Sequence, residues 1–547
     1  VHAGEAPSVA VGDGETVEVS TGAVLPDGAD AVVMVERTDR HGDEVEVRTG
    51  LAPGDGVMLA GSDVAAGARA LGPGTRITAR EVGLLSALGV DSVPVWARPR
   101  VGVISTGDEL VRPGEALDSG AGQIYDVNSH AVAAAVSEAG GEAVVYPHVG
   151  DDYGAMERVL REAADECDLV LSSGSTSASA VDVVYRVVEE RGELLLHGVA
   201  VKPGKPMLVG RIGESAYVGL PGFPVSALTI FRAFVAPAIR AAAGLPEAET
   251  ATVEGEMAVR ERYAEGRLRL MPVGLVETEP GSGSGAGRLL VYPVDKGSGA
   301  TTSLVEADGI VEVDPDTEAL AAGEPVEVQL FSPDVRPPAV LVVGEDDPAL
   351  SRLLDRLSRP RFLPLGSREG LRRLRDGIPD VAVVAGPTER DVDSVDVGGW
   401  TREWGLVVPA GNPDGVSGVA DLVDRELRFV NRDRASGLRT ELDRALDELA
   451  AERGEDVGDL QGAVDGYGRA AKAHESPARA VADGRADAGL GLRASAEALG
   501  LGFVPLGDQR VRVLANPERL EKSGLTALEA ALDELPDVLA DLAGYAS

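Results

Sequence analysis

Four polar segments between positions 101 and 239 carry the residue types that could bind an anion or a metal ion. They are STGDEL at 105–110, GSTSASAVD at 174–182, VKPGKP at 201–206 and LPGFPVSA at 220–227. Each begins where an apolar, strand-like run stops. Open parallel sheets bind ligands in the crevice beyond the carboxyl ends of their strands. The four segments therefore predict one shared pocket.

The lysine pair in VKPGKP is conspicuous because lysine is scarce. The five lysines of the chain are Lys202, Lys205, Lys296, Lys472 and Lys522. Lys202 and Lys205 flank a Pro-Gly turn, so both ammonium groups can point toward one anion. Flexible surface lysines are the alternative interpretation.

The other three segments supply carboxylates, hydroxyls and backbone donors. Glu109 follows Thr106 in a turn and could hold a metal ion or orient a phosphate, or be a solvated loop carboxylate. The turn holding Ser173, Gly174 and Ser175 can cradle an anion with its backbone N–H groups. Asp182 could bind a metal or cap the following helix. The proline-rich corner at Pro221 directs the first amides of a helix and Ser226 toward the pocket, although proline is also common there for structural reasons.

Composition narrows the classes of function. The net charge is −39, from 90 acidic and 51 basic residues. Such charge argues against nucleic-acid binding, which depends on basic side chains. It suggests a salt-rich cytoplasm, as in halophiles, or else an acidic protein from a GC-rich genome that favours Arg over Lys. A single cysteine, Cys167, excludes a disulfide framework and predicts a packed thiol. With no apolar run of membrane-spanning length and no signal peptide, we expect a cytoplasmic protein without membrane contact.

The hydrophobic pattern predicts an α/β multidomain chain. Residues 1–95 alternate in short runs such as ETVEVS, AVVMVE and EVEVRT, which predict a small β domain. Residues 96–247 alternate strand and helix patterns and predict a doubly wound parallel sheet with helices on both faces. Short β runs at 248–331 predict a small barrel with a hairpin at GSGSGAG. After a proline-containing linker at 332–338, residues 339–547 predict an independent, two-lobed α/β domain.

Taken together, these segments resemble the molybdopterin molybdenumtransferase family, which is related to the gephyrin E domain. The resemblance spans 1 to about 331 and is carried by VSTGAVLPDGADAVVMVE, GSDVAAGA, GVISTGDELVRPGE, GQIYDVNS, VKPGKP, LPGFPVSA and VYPVDKGSGATTSL. The family pattern differs at two turns: SGGVSVG is SGSTSAS here, and the Asn of PGNP is Phe223. The family's amino-terminal segment, with its Asp-Gly motif, would precede Val1.

The resemblance implies a reaction in which molybdate is inserted into adenylyl-molybdopterin and AMP is released. By similarity, Glu109, Asp151 and Asp182 would organise Mg²⁺ and the pterin phosphate, with Asp63 facing the same cleft. Lys202, Lys205 and Ser226 would hold molybdate, together with Arg267 and Ser298 from the following β domain. Thr106, Ser173, Gly174, Ser175 and Pro221 would contact the cofactor precursor, and Asp182, Lys202 and Lys205 would be the catalytic residues. Family members are dimers, so we expect a homodimer. The resemblance also suggests contacts with other cofactor-synthesis proteins.

Residues 339–547 resemble the periplasmic-binding-protein-like domain that some family members carry. The matching segments are GSREGLRRL, WGLVVPAGNP, FVNRDRASGLRTELD and DGRADAGLGLRASAEALGLGFVPL. In RDRASGLRTELD a loop runs into a predicted helix start, which is a favourable place for an anion. We expect molybdate or tungstate there, bound by Ser367, Arg434, Ser436 and Arg439, although the arginines could instead pair with nearby acids. His474 is expected to be structural.

Two other classes of function stay open. The serine-rich turn and Phe223 are compatible with a noncatalytic sensor or scaffold that binds molybdopterin and the oxyanion without transfer. A DNA-binding regulator is disfavoured by the charge and by the lack of a helix-turn-helix pattern.

Overall fold

The computed structural model describes residues 1–174, 183–278, 287–294, 296–386 and 392–547. They form two compact units, Val1–Trp96 and Ala97–Ser547. The predicted hairpin loop GSGSGAG lies almost entirely outside the described residues.

The amino-terminal unit contains little regular structure. Its elements are β1 (Thr38–His41), β2 (Glu44–Val47) and α1 (Ala79–Ala87). Strands β1 and β2 form an antiparallel hairpin, as the run EVEVRT predicts. The prediction of strands at ETVEVS and AVVMVE is wrong. Met34 and Val35 of the second run are 72% and 77% exposed, so its alternating side chains have no buried face to stabilise a strand.

The second unit begins with a mixed six-stranded sheet. The elements of this part of the chain are β3 (Arg100–Ser105), β4 (Leu110–Val111), β5 (Ile124–Tyr125), α2 (Asn128–Glu138), β6 (Glu142–Val145), α3 (Tyr153–Glu166), β7 (Leu169–Ser173), α4 (Val183–Arg191), β8 (Glu193–His197), β9 (Val201–Lys202), β10 (Leu208–Ile212), β11 (Ser215–Leu220), α5 (Pro224–Ile230) and α6 (Ala236–Ala242). The short strands β4, β5 and β9 lie outside the six-stranded sheet. The strand order is β6-β3-β7-β11-β10-β8. Strands β6, β3, β7 and β11 are parallel, as predicted.

Strand β10 departs from the parallel prediction, because it pairs antiparallel with both β11 and β8. Only Gly213 and Glu214 separate β10 from β11, and Gly213 has a φ of +60°. A two-residue turn can join only antiparallel strands.

Helices cover both faces of this sheet, as a doubly wound fold requires. Helices α2, α5 and α6 pack on one face, and α3 and α4 pack on the other. Cys167 is a buried free thiol in the second of these cores, as predicted, and burial raises its pKa. By length and composition the segment Pro224–Ala242 could cross a membrane, a test that core helices also pass. Ile230, Val235 and Ile239 of this segment pack in the first core.

A small barrel follows, as predicted. Its elements are β12 (Thr252–Met257), β13 (Glu261–Arg262), β14 (Leu268–Glu277), β15 (Leu289–Pro293), α7 (Thr302–Glu306), β16 (Gly309–Val313), β17 (Ala319–Leu320) and β18 (Pro325–Leu330). The order β15-β12-β18-β16-β14 is closed by pairing of β14 with β15. Strand β9, from VKPGKP, adds to β14 in parallel. The lysine-bearing segment is therefore held on the barrel.

The carboxy-terminal part has two lobes, as predicted. Its elements are β19 (Val340–Gly344), α8 (Pro348–Leu354), β20 (Pro360–Leu363), α9 (Ser367–Arg375), β21 (Val381–Ala385), β22 (Val395–Val408), α10 (Val419–Asp424), β23 (Phe429–Arg432), α11 (Gly437–Arg453), α12 (Val457–Ala463), β24 (Ala470–Ala471), α13 (Ser476–Ala482), β25 (Ala488–Leu492), α14 (Arg493–Ala498), β26 (Gly502–Ala515), α15 (Ser523–Asp533), α16 (Leu535–Leu539) and β27 (Tyr545–Ala546). The first lobe contains β19–β21, and the second contains β23–β25. Strands β22 and β26 pair along their length and run through both lobes. Each lobe has its own hydrophobic core.

The barrel and the first lobe are packed together. Val276 and Tyr292 of the barrel share a hydrophobic cluster with Leu341 and Val343 of β19. Beside this cluster, the Arg361 guanidinium donates two hydrogen bonds, of 2.5 and 2.7 Å, to the Asp308 carboxylate. The proline-containing linker therefore joins surfaces in contact.

Candidate functional site

The carboxyl ends of three parallel strands are joined by hydrogen bonds. The Thr106 N–H after β3 donates to the Ser173 carbonyl at 2.9 Å. The Ser173 hydroxyl donates to the Pro221 carbonyl at 3.1 Å. At the start of α2, Asn128 Nδ2 lies 2.7 Å from both the Ser173 hydroxyl oxygen and the Gly222 carbonyl oxygen. The turns after β3, β7 and β11 therefore form one continuous edge.

Two glycines allow these turns to approach so closely. Gly174 has a φ of +104°, and a Cβ added to it would lie 2.5 Å from the Thr106 carbonyl oxygen. A Cβ on Gly222 would lie 3.3 Å from the Gly174 Cα. Larger residues would push the turns apart. Ser175 and Asp182, predicted for the same site, lie outside the described residues.

Carboxylates stand on two neighbouring loops at this edge. The Gly107 N–H donates to the Val149 carbonyl at 3.0 Å and so joins the loops. Asp108 Oδ1 accepts a hydrogen bond from the Asp151 N–H at 3.3 Å. Glu109 and Asp151 are both exposed. Among the described residues, no three or more His, Cys, Asp or Glu side chains form a group that could hold a metal ion.

Lys202 lies in a cluster of charged and aromatic side chains on the barrel. Its Nζ donates to Glu265 Oε1 at 2.5 Å, and Arg267 pairs with the same carboxylate. The hydrogen bond from Lys202 lowers the pKa of Glu265 despite some desolvation. Lys202 is the register partner of Arg269, and both cations lie over the Tyr263 ring, 5.3 and 5.0 Å from its centroid.

A cavity opens beside this cluster. Its lining residues are Lys202, Pro203, Val225, Arg269, Leu270, Pro272, Ser298 and Ser303. The Val225 N–H donates to the Ser298 carbonyl at 3.1 Å, which joins the start of α5 to the barrel loop. Gly204 has a φ of +111°, and an added Cβ would lie 2.2 Å from Ile230. The Pro-Gly turn is therefore seated directly on α5.

The remaining predicted residues of this site are placed differently. Ser226 is buried in α5, and Lys205 is exposed. Asp63 is exposed in the amino-terminal unit.

A second polar cluster lies between the lobes of the carboxy-terminal part. The buried Glu345 carboxylate accepts hydrogen bonds from the Ser367 hydroxyl at 2.8 Å and the Ser436 hydroxyl at 2.7 Å. It also accepts from the Gly437 N–H at 2.8 Å and from Arg402 Nη2 at 3.2 Å. Two of the predicted oxyanion ligands, Ser367 and Ser436, are thus brought together on an internal carboxylate.

The two arginines predicted with them, Arg434 and Arg439, lie outside this cluster. Arg439 stacks on Tyr467 at 3.9 Å from the ring centroid and pairs with Asp443 at 2.8 Å. Arg434 is exposed. His474 Nδ1 lies 3.0 Å from Asp346 Oδ2.

Four parts of the chain each match a known protein family. Residues 1–89 match the MoeA N-terminal region (domain I and II), and 102–241 match a probable molybdopterin binding domain. Residues 254–331 match the MoeA C-terminal region (domain IV), and 352–533 match a PBP superfamily domain.

The identity to known relatives assigns the chain to a family. Molybdopterin molybdenumtransferase 1 of Mycobacterium tuberculosis is 33% identical over 331 residues, covering 58% of this chain and 74% of that protein. This chain belongs to the molybdopterin molybdenumtransferase family. Molybdopterin molybdenumtransferase 2 of the same species is 43% identical over 237 residues, covering 42% of this chain. The chain spans 58% of the length of that second relative.

Among solved structures, a molybdopterin biosynthesis MoeA protein from Pyrococcus horikoshii is 38% identical, with a TM-score of 0.48. The likeness covers 60% of this member of the molybdopterin molybdenumtransferase family and 79% of the Pyrococcus chain.

The sequence analysis of this family member missed several residues of both clusters. Asn128 could have been found from its place in GQIYDVNS, one of the segments that carry the family resemblance. Glu265 and Arg269 carry no such signal, because only the pairing of β9 with β14 brings them to Lys202. Glu345 and Arg402 lie 57 residues apart in sequence and meet only in the folded domain.

Proposed function

We propose that the chain acts in molybdenum cofactor biosynthesis as a Mg²⁺-dependent transferase that inserts molybdate into adenylyl-molybdopterin and releases AMP. The observation that carries this proposal is the cavity lined by Lys202, Arg269 and Ser298, which borders the start of α5. The same corner of the chain supplies Pro221 and Gly222 to the joined sheet edge. A cationic, hydroxyl-bearing cavity therefore adjoins an edge suited to a polar, phosphate-bearing ligand. The names and similarity of the relatives support the proposal.

The sheet edge is assigned to the pterin precursor. Thr106, Ser173, Gly174, Ser175 and Pro221 are proposed to contact its polar ring and phosphate. The hydroxyls of Thr106 and Ser173 already donate to neighbouring carbonyls, so these two residues would act mainly by holding the turns in place. Tight hydrogen bonding between these turns fixes the donors before the ligand arrives, which reduces the entropy cost of binding.

Molybdate is assigned to the cavity. A tetrahedral dianion needs convergent cations and hydroxyl donors. Lys202 and Ser298, which line the cavity, are proposed to bind it together with Lys205, Arg267 and Ser226, which lie outside that lining, and tungstate would use the same groups. Glu265 now neutralises Lys202 and Arg267, so an entering oxyanion must compete with this carboxylate.

Magnesium is assigned to the carboxylates of the neighbouring loops. Carboxylate oxygens are the ligands that Mg²⁺ prefers. Glu109 and Asp151 stand on joined loops, and Asp182 is proposed to complete the site. When bound, Mg²⁺ would neutralise charge developing on the pyrophosphate. Asp182, Lys202 and Lys205 are the proposed catalytic residues. Asp182 would bind the Mg²⁺, and the two lysines would hold the oxyanion near the reacting sulfurs of molybdopterin.

We infer four structural domains, at 1–95, 96–247, 248–331 and 339–547. We further infer a cytoplasmic homodimer from a salt-rich cell, in contact with other cofactor-synthesis proteins. Neither nucleic acid nor membrane is expected as a partner.

The reaction is tested with the full chain in high salt, supplied with adenylyl-molybdopterin, Mg²⁺ and molybdate. AMP release and active cofactor are measured together. Asp182→Asn should abolish turnover while leaving the unfolding temperature nearly unchanged, and Lys472→Ala, which removes an exposed lysine of the carboxy-terminal part, should keep wild-type turnover. Binding of both ligands without AMP release would favour the noncatalytic sensor, which the serine-rich turn and the exposed Phe223 also suit.

A further inference from the structure

The Glu345 carboxylate is fully buried and is surrounded by hydrogen-bond donors. On the first lobe, Ser367 donates its hydroxyl at 2.8 Å and its backbone N–H at 3.3 Å. On the second lobe, the Ser436 hydroxyl and the Gly437 N–H donate at 2.7 and 2.8 Å. Arg402, on the strand that runs through both lobes, completes the set at 3.2 Å. Both lobes and their connecting strand therefore hold one carboxylate.

These donors are the groups that a bound oxyanion uses. Ser367 and Gly437 begin helices α9 and α11, of 9 and 17 residues, and helix N-termini favour anions. Two hydroxyls and a guanidinium add charge-assisted and directional contacts. The Glu345 carboxylate occupies the position where such an ion would receive all of them.

The lobes are closed around this carboxylate. The Arg368 N–H of the first lobe donates to the Ala435 carbonyl of the second at 3.2 Å. His474 of the second lobe reaches Asp346 of the first at 3.0 Å. A closed arrangement normally depends on a ligand that both lobes contact. Here Glu345 makes those contacts.

Arg432 gives a second, independent indication that the site was shaped for an anion. Its side chain is 1% exposed, and its Nε and Nη1 have no hydrogen-bond partner among the residues that the structure describes. The charges that act on it most strongly are those of Glu345 and Asp346. A buried guanidinium with unused donors is costly, so it marks a place where further acceptor atoms would be stabilised.

Charge balance decides what the site accepts. Arg402 and Arg432 already face three carboxylates: Glu345, Asp347, which accepts from Arg402 at 2.8 Å, and Asp346, which also pairs with His474. Adding a dianion would leave buried negative charge uncompensated. Removing Glu345 would instead lower the negative charge by one and leave the two hydroxyls, the two helix starts and the unused donors of Arg432 for a tetrahedral ion, while Arg402 keeps Asp347 and Gln509 as partners.

We propose that Glu345 is a built-in ligand that fills an oxyanion site between the lobes, so that molybdate, tungstate or sulfate binds there only when this carboxylate is absent. Ser367 and Ser436 keep the anion-binding role predicted from the sequence, but the anion is part of the chain. This inference goes beyond the proposed transferase reaction and does not depend on it.

The test is calorimetric titration of the full chain with molybdate, in wild type, Glu345→Ala and Glu345→Ala/Arg432→Met. The single variant should bind one more molybdate per chain than wild type, and the added Arg432→Met should weaken that extra site at least tenfold. Glu448→Ala, which removes an exposed glutamate of α11, is the matched control and should gain nothing. Wild type and all the variants keep the cavity at Lys202, so molybdate bound in that cavity contributes equally to every titration.

The proposal would be overturned if wild type binds molybdate and Arg432→Met or Ser436→Ala abolishes that binding. It would also be overturned if Glu345→Ala folds but gains no molybdate site. If Glu345→Ala is unstable, its unfolding temperature should rise with millimolar molybdate or sulfate, and the double variant should not respond. An unstable Glu345→Ala that no oxyanion stabilises would also overturn the proposal.

Discussion

The Ser436 hydroxyl lies 2.7 Å from Glu345 Oε1, although 91 positions separate the two residues in sequence. One residue belongs to each lobe, so this contact fixes the lobes against each other. The carboxylate it reaches is ionised: burial raises the pKa of Glu345, but attraction to Arg402 and Arg432 and the hydrogen bonds lower it by more. The stability of the closed domain therefore depends on one negative charge.

Replacing Glu345 by Gln should destabilise the carboxy-terminal domain by about 3–5 kcal/mol at pH 7, because it breaks the buried ion pair with Arg402 and removes a carboxylate that stabilises the charge of Arg432. Urea unfolding followed by tryptophan fluorescence measures this, since Trp400 and Trp404 flank Arg402 on β22. A Trp96→Phe background removes the tryptophan of the amino-terminal unit.

The same charge sets a pH dependence. A carboxylate with a lowered pKa contributes stability above its unfolded pKa, near 4.5, and loses it as the pH falls through the folded value. Wild type should thus lose stability in acid more steeply than Glu345→Gln. Equal slopes below pH 4.5 in the two proteins would contradict this assignment.

Replacing Arg361 by Met should loosen the first lobe from the barrel. The change leaves Asp308, whose side chain is 3% exposed, without its bidentate partner, at a cost of about 3–5 kcal/mol. Hydrogen exchange of β16 and β20 should increase, while β22 should keep wild-type protection. Unchanged exchange in β16 and β20 would show that the hydrophobic cluster alone holds the two parts together.

Lys202→Ala and Glu265→Gln should shift the molybdate requirement in opposite directions. Loss of Lys202 removes a charge-assisted contact worth about 1.5–3 kcal/mol, so the molybdate concentration for half-maximal turnover should rise roughly tenfold or more. Glu265→Gln frees Lys202 and Arg267 from a competing carboxylate and should lower that concentration. Steady-state kinetics against molybdate gives both values, and a rise in both variants would place Glu265 among the groups that the oxyanion needs.

Gly174→Ala should separate the turns of the sheet edge. The added Cβ would lie 2.5 Å from the Thr106 carbonyl oxygen, at a φ of +104° that favours glycine. We expect about 1–3 kcal/mol of lost stability and weaker binding of molybdopterin, measured by fluorescence titration. Gly213→Ala, at a turn with open space around it, is the control for glycine replacement at positive φ.

The sheet-edge residues were predictable because a local pattern marks them. Thr106, Ser173 and Pro221 each follow an apolar run, and the carboxyl ends of parallel strands meet at one edge. The antiparallel β10 was missed although Gly213 marks a short turn. Glu345 was not predicted, because its donors come from distant helices and a strand, and no spacing in the sequence brings them together.

The most direct measurement of the proposed reaction is the ratio of AMP released to molybdenum cofactor formed, as molybdate is varied at fixed adenylyl-molybdopterin and Mg²⁺. We expect equal amounts of the two products, both rising with molybdate and both absent in Asp182→Asn. AMP release that is independent of molybdate, or bound adenylyl-molybdopterin that is never cleaved, would contradict this expectation.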